Sequence, residues 1–445
     1  MKKVVTAVAM LVCLNPEILS ASTLELEKAI IAAEENDPTL ASARASRDAA
    51  AENIAIARSR LLPQISAQGS YSRNQQDINQ TNTQGQTSNR QQNVNALNSS
   101  VSLRQGLLRP RDWLGLSIGE LQAEYGFQKL MAAQSDLWFR VVSAWVDVLA
   151  ASENLKTQLL AVESTRQAAE QARKRFGAGD STKDVQNEAS AQHLLAKAQL
   201  SEAEQTLKAK QVSYRLLTGI EFSVANKKFP AYQDLKLPLT LNDLLLRTLN
   251  KNGEVLSLRI AEQINQQRIK QASSDHLPTV DLVSSYTKAD SDTINTIGTQ
   301  YTTKSIGVQL VIPIFSGGGL TATERQQSAN YRASIADRQA MEIRLKSQMT
   351  LDWSSYLSGF DRLGAAQELV KAAKDQKRSY QLGLKSGIRT WGDIAQADML
   401  LARRQQEYIG HASNFFKNQA RLLSNIPSSE DEWIQWVKLM SLRSE

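Results

Sequence analysis

One segment of this chain occurs twice. The stretch from Asn36-Asp37-Pro38 through Arg58-Ser59-Arg60-Leu61-Leu62-Pro63-Gln64-Ile65 to Ser70-Tyr71 has a later counterpart. It returns as Ser274-Asp275-His276-Leu277-Pro278-Thr279-Val280, running on to Ser285-Tyr286. Pro63 and Pro278 keep the same offset as Tyr71 and Tyr286, so the match crosses a helix end and enters a strand without a gap. A second echo pairs Arg175-Phe176-Gly177-Ala178-Gly179 with Gly383-Leu384-Lys385-Ser386-Gly387. Asp184-Val185-Gln186 then follows in the first copy and Asp393-Ile394-Ala395 in the second, one residue later. Two copies of one helix–hairpin–helix unit predict a pseudo-symmetric fold with its halves side by side. That constraint precedes any chemistry.

Lys2 and Lys3, the apolar run Val4–Leu14 and the small residues Ser20, Ala21 and Ser22 read as an export signal over 1–22. The run is shorter than the ~20 residues a spanning helix needs. Cys13 is the only cysteine and follows Val12 rather than a small residue, so lipid attachment is not expected. A mature chain without cysteine has no disulfide, thiol nucleophile or cysteine–metal site. Losing Lys2, Lys3 and Glu17 takes the net charge from +7 to +6. The remaining charges interleave both signs along helical faces, the pattern of solvated helices rather than of nucleic-acid binding.

The first repeat is expected over 23–219, with helices at Leu24–Glu35 and Pro38–Leu62 and Pro63 as the stop. Ile65, Ala67, Gly69 and Tyr71 then alternate with polar residues, as do Leu97, Ser99, Val101 and Leu103, giving a hairpin over 64–104. Arg73–Asn95, almost wholly Asn, Gln, Thr, Ser, Gly and Arg, reads as a solvated loop. From Arg111 to Phe176 one helical pattern runs unbroken, a rod of ~100 Å. A turn at Gly177–Ser181 leads to a returning helix, Thr182–Leu217. The linker 220–240 carries Pro230 and Pro238. The second repeat, 241–425, repeats the plan. Leu241–Asp275 is helical, a hairpin over 279–314 surrounds a polar loop Thr287–Tyr301, and helices follow at Thr321–Gly383 and Thr390–Asn425. A tail, 426–445, contains Trp433 and Trp436.

The hairpins place Ile65, Tyr71, Val101, Leu103, Val280, Leu282, Tyr286, Ile306, Val308, Leu310, Ile312 and Ile314 on one outward face. Four strands do not close a barrel, and open edges are not viable in lipid. Twelve strands from three chains do close, and the same symmetry gives twelve helical columns. His193, His276 and His411 each stand alone, and no nucleophile elbow, Walker motif or H-E-x-x-H occurs. Gly317, Gly318 and Gly319, between strand and helix, lack a following Gly-Lys-Ser/Thr. They read instead, together with Pro63 and Pro278 at the helix-to-strand joints, as a swivel between tilted strands and helices. No catalysis and no cofactor are expected.

The signal, the duplicated plan, Leu277-Pro278-Thr279-Val280-Asp281-Leu282, Ile312-Pro313-Ile314-Phe315-Ser316-Gly317-Gly318, and Arg175-Phe176 leading to Asp184-Val185-Gln186 together resemble the TolC family. These are outer-membrane exit ducts of Gram-negative bacteria, and the resemblance covers essentially the whole mature chain. It implies a mainly α homotrimer, with a twelve-strand membrane β-barrel continuing into a long α-helical barrel that extends into the periplasm. It implies, as partners besides outer-membrane lipid, a periplasmic adaptor and an inner-membrane ABC or proton-driven transporter, the cargo being proteins or small toxic compounds. A periplasmic coiled-coil adaptor is the alternative; it accounts for the helices but not for two lipid-patterned hairpins. The resemblance further implies a gated tip, in which Arg389 links to Asp184 and Asp393 forms a constricting ring. Gln396 stands where one member of that family has a second carboxylate, Lys183 where that member has a threonine, and Leu384 where it has a tyrosine.

Overall fold

Asp37 separates the first two helices. α1 (Ala21–Asn36) ends there, and the Asp37 carboxylate accepts from the Leu40 amide at 2.8 Å to cap α2 (Pro38–Ser59). Pro38 occupies the first helical position, where its missing N–H costs nothing. Arg140 donates to the same carboxylate at 2.8 Å and to the Thr39 hydroxyl at 2.8 Å. Burial alone would raise the Asp37 carboxyl. The Arg140 guanidinium, the Thr39 hydroxyl and the Leu40 amide outweigh it and hold the group at about 2, against an ordinary 3.8. The folded value lies below the unfolded one, so this stabilisation is present above 3.8 and lost as pH falls through about 2. Asp37→Asn should therefore cost about 2 kcal/mol at neutral pH. Acid titrations followed by circular dichroism should show that difference vanishing toward pH ~2.

The computed structural model describes residues 21–81, 83–222, 229, 237, 239–293 and 296–426. Most of the expected signal, most of the linker, and the tail with Trp433 and Trp436 lie outside the described residues. The remaining elements are β1 (Gln64–Thr81), β2 (Thr87–Leu108), α3 (Pro110–Gly177), α4 (Lys183–Thr218), α5 (Leu241–Lys251), α6 (Gly253–Ser274), β3 (Thr279–Thr293), β4 (Thr296–Val311), α7 (Gly319–Lys385) and α8 (Trp391–Ser424). The chain is mainly α, with one small sheet and the helix–hairpin–helix order repeated.

Two compact units emerge, and neither coincides with a repeat. One holds Ala45–Gln128 and Leu256–Ala340; the other holds the chain up to Arg44, 129–255 and from Met341 on. Each unit draws on both copies. In the second unit Leu40, Leu137, Val141, Val142, Leu363 and Phe415 are among the fully buried residues. Phe415 stacks on Tyr356 at 5.3 Å and meets Phe416 edge-on at 5.9 Å. The Tyr356 hydroxyl accepts from the Leu237 amide at 2.8 Å, tying the linker to this core. Asp147 of α3 is shared by Lys210 of α4, at 2.9 Å, and Lys417 of α8.

In the first unit the four strands form one antiparallel sheet in the order β1-β2-β3-β4. Across it Ile65 faces Leu103, Leu103 faces Ser284 and Ser284 faces Ile306; Val101 faces Tyr286, and Leu282 faces Val308. The apolar residues thus share one face, and Ile306, Val308 and Leu310 stand exposed on it. The other face carries Arg104, Asp281 and Gln309. Asp281, a side chain 2% exposed, accepts from Arg104 Nε at 2.9 Å and Nη2 at 2.5 Å. It also accepts from Arg109 Nε at 2.6 Å and Nη2 at 2.6 Å.

Several expectations need correction. The segments 73–95 and 287–301 are not loops: β1 pairs with β2 from Gln64↔Arg104 to Thr81↔Thr87, and β3 with β4 out to Thr293↔Thr296. Backbone bonds sustain these strands where neither face is apolar, so no period-two contrast marks them. The first hairpin continues past 104 to Leu108. The second ends at Val311, leaving Ile312 and Ile314 in the connection to α7, exposed by 52% and 89%. Helix 241–275 is broken at Asn252, whose side chain accepts from the amides of Glu254 at 3.0 Å and Val255 at 3.2 Å and starts α6. α2 stops at Ser59, short of Leu62.

Candidate functional site

The turn from α3 to α4 and the turn from α7 to α8 are built alike. Asp180 N–H donates to Arg175 C=O at 2.8 Å, and Ile388 N–H to Gly383 C=O at 2.9 Å. Gly179 N–H donates to Phe176 C=O at 3.0 Å, and Gly387 N–H to Leu384 C=O at 3.1 Å. Gly179 and Gly387 hold φ at 79° and 76°, the left-handed conformation that ends a helix in this way and that glycine adopts without strain. Each turn then enters its returning helix through a threonine in extended conformation, Thr182 or Thr390.

The one-residue difference between the repeats now has a physical meaning. Asp393 is the third residue of α8 and completes a capping box: its N–H donates to Thr390 Oγ1 at 3.2 Å, and its carboxylate accepts from the Thr390 amide at 2.8 Å. Val185 holds the equivalent place in α4 and has no carboxylate to return a bond to the Thr182 amide, so no capping box forms there, and the Thr182 side chain makes no cap bond either. Asp184 sits one position earlier, where it does not reach back. Asp184 and Lys183 are both exposed, and neither has an ion-pair partner among the described residues.

Arg389 lies against its own helix pair. Its guanidinium is 3.9 Å from Asp393 Oδ1 and 4.3 Å from the centre of the Tyr380 ring. Its stem crosses Gly383 so closely that a Cβ there would come within 2.8 Å of Arg389 Cγ. Within one chain Arg389 therefore pairs with Asp393, and no ion pair joins it to Asp184 among the described residues. The Asp393 carboxyl is held below the usual carboxylate range, chiefly by the Thr390 amide, then by the Thr390 hydroxyl, with Arg389 adding to both. It is ionised at neutral pH.

Gln396 is exposed one turn beyond Asp393, on a groove of about 340 Å³ that it shares with Arg175, Val185, Glu188 and Trp391. Leu384, half-buried at the end of α7, lines a larger cleft of about 990 Å³ with Glu163, Lys377, Lys385 and Asp398. Asp398 is a carboxylate that sequence reasoning missed. It is buried, accepts from Lys377 Nζ at 2.5 Å and from the Ser164 hydroxyl, and so ties α3, α7 and α8 together. Its apolar neighbours Ile394, Ala395 and Ala397 were the available signal that this face of α8 is buried. At the far ends of the helices, Gly317 and Gly318 hold φ at 59° and 80° between β4 and α7, and Gly319 opens α7. Pro278 directly precedes β3 and Pro63 directly precedes β1.

The family described as "Outer membrane efflux protein" matches residues 29–220 and 244–425, one span in each repeat. The chain belongs to the outer membrane efflux protein family. Outer membrane protein TolC of Vibrio cholerae is 28% identical over 372 residues, 82% of each chain. Proteases secretion protein PrtF of Dickeya chrysanthemi is 26% identical over 400 residues, covering 88% of this chain and 86% of that one. Among solved structures, the outer membrane protein VceC of Vibrio cholerae superposes with a TM-score of 0.72 at 15% identity, over 91% of this chain and 96% of that one. The CmeC outer membrane channel of Campylobacter jejuni does so with a TM-score of 0.73 at 16% identity, over 93% and 89%. As a member of this efflux family the chain is an exit duct of the cell outer membrane that extends into the periplasm.

Proposed function

We propose that three copies close one twelve-strand barrel and conduct cargo passively, energised by a docked inner-membrane transporter. The carrying observation is the sheet itself. Its edge strands β1 and β4, of 18 and 16 residues, have no outer neighbour among the described residues, while one of its faces is apolar. Unpaired edges of that length are costly in lipid, and placing β4 of one copy beside β1 of the next removes them. The chemistry of such a duct is transport, not catalysis; an ABC or proton-driven inner-membrane transporter supplies the energy, and a periplasmic adaptor couples it to the duct. PrtF is named for secretion of proteases, and BepC of Brucella suis is named an outer membrane efflux protein. Protein cargo and small toxic cargo both fit this duct. Deleting the gene and comparing the secreted proteome with drug susceptibility separates them: loss of secreted proteins alone marks a secretion duct, and drug sensitisation alone an efflux duct.

The tip formed by the α3–α4 and α7–α8 turns is the gate of this reading. Arg389 bridges to Asp184 of a neighbouring copy when the tip is closed, and three Asp393 carboxylates surround the opening. An exposed pair is worth only ~0–1 kcal/mol, a modest bias that a docked adaptor overcomes. Like charges gathered at one opening favour cations and bind multivalent cations. Lys183 and Lys385 weaken that field, and Gln396 removes a second ring. Single-channel recording should show higher conductance for Arg389→Ser. Asp393→Asn, which keeps an oxygen for the Thr390 amide, should abolish block by multivalent cations while leaving assembly intact. Unchanged conductance and unchanged block would sink the gate assignment.

A further inference from the structure

On the outward face of the sheet the apolar residues of β1, β3 and β4 end at Tyr71, Tyr286 and Ile306, on the side of the hairpin turns. The next outward residue on each of these strands is a cation: Arg73, Lys288 and Lys304. Register fixes their arrangement. Lys304 faces Tyr286 across the β3–β4 ladder, with its Nζ 5.9 Å from the ring centre, and Lys288 is its diagonal neighbour two residues along β3. All three are exposed, and none has a carboxylate partner among the described residues. Farther out on the same face Asp290 accepts from Gln300 at 2.8 Å. Below Lys304 lies a groove of about 380 Å³ whose lining includes Val101, Leu103, Tyr286 and Ile306, with Lys304 at its lip.

Unpaired cations where an apolar band ends are unfavourable in hydrocarbon and favourable beside anionic headgroups. The helices leave the opposite ends of all four strands, so the hairpin turns, and these cations, belong to the extracellular side. The outer leaflet there is a phosphorylated glycolipid. We propose that Lys288 and Lys304, with Arg73 of β1, bind the phosphates of that glycolipid, and that one of its acyl chains lies in the groove beneath Lys304. Charge complementarity selects this occupant: a groove with an apolar floor and a cationic lip matches an acyl chain joined to a phosphate, and a neutral lipid leaves the lysines unpaired.

The proposal rests on the membrane-barrel reading above. Its test is retention of bisphosphorylated lipid A, against lipid A with both phosphates removed, on purified trimers in detergent, read by native mass spectrometry. Wild-type trimers should retain the bisphosphorylated form preferentially. Lys288→Gln/Lys304→Gln trimers should retain it less by roughly thirtyfold, the loss expected for two lysines beside an anionic surface. Equal retention of the two lipids by wild-type protein would overturn the proposal, as would equal retention by wild type and variant. Full displacement by inorganic phosphate would overturn the glycolipid as occupant. Wild-type protein that forms no bilayer-inserted trimer would overturn the barrel reading, and the lipid site with it, whereas inserted trimers indifferent to phosphate would overturn the lipid site alone.

Discussion

Replacing Val308 by lysine should destabilise the assembled barrel, whereas replacing Gln309, its neighbour in sequence, should not. Val308 is 66% exposed in the single chain and lies on the face with Leu282, Ile306 and Leu310. A lysine on the lipid face near the midplane costs roughly 2–4 kcal/mol, and each trimer carries three copies. Gln309 pairs with Asp281 on the opposite face, which in the proposed barrel looks into the lumen, where water solvates an added charge. Denaturant titrations of lipid-refolded protein measure the difference directly. Equal tolerance at Val308 and Gln309 would mean that this hairpin does not face lipid.

Asp281→Ala should be the most damaging change at the junction of strands and helices. Its carboxylate is almost fully buried and holds two arginines, Arg104 of β2 and Arg109, the residue just before α3. Removing one partner of a buried pair costs ~3–5 kcal/mol, because the charge left behind has lost its counter-ion. Arg104 and Arg109 keep 56% and 30% of their side-chain exposure, so water absorbs part of that cost and the expected loss is about 3 kcal/mol. Combining Asp281→Ala with Arg109→Met should recover part of it, since an apolar replacement leaves no stranded charge there. If the double variant is no more stable than the single one, the cluster does not act as a coupled pair.

The pairing of Arg104 with Asp281 shows what the sequence carried and what it did not. Alternation around Leu103 and Leu282 placed Arg104 on the inward face, but its partner depends on the register of β2 against β3, between segments far apart in the chain. Asp398 with Lys377 and Ser164 is the same case among helices. The long helices were legible because neither α3 nor α7 carries a proline beyond its first residue, so the helical pattern runs on through many turns, and the repeat fixed their order. The outer halves of the strands were not legible: Gln, Asn, Thr and Ser occupy both faces, leaving backbone pairing as the only organising force. At the tip, the repeat located both turns correctly. The extra residue before Asp393 carried a further meaning, since only the third helical position closes a capping box with Thr390. Within the chain Arg389 pairs with Asp393, a contact that the spacing of the second turn did not reveal.

The count of chains in the assembled particle bears on everything above. Native mass spectrometry of protein extracted from the outer membrane should give a complex of three mature chains, with no stable monomer or dimer in the membrane fraction. A monomer or dimer there would leave β1 and β4 without partners in lipid and would contradict the twelve-strand duct.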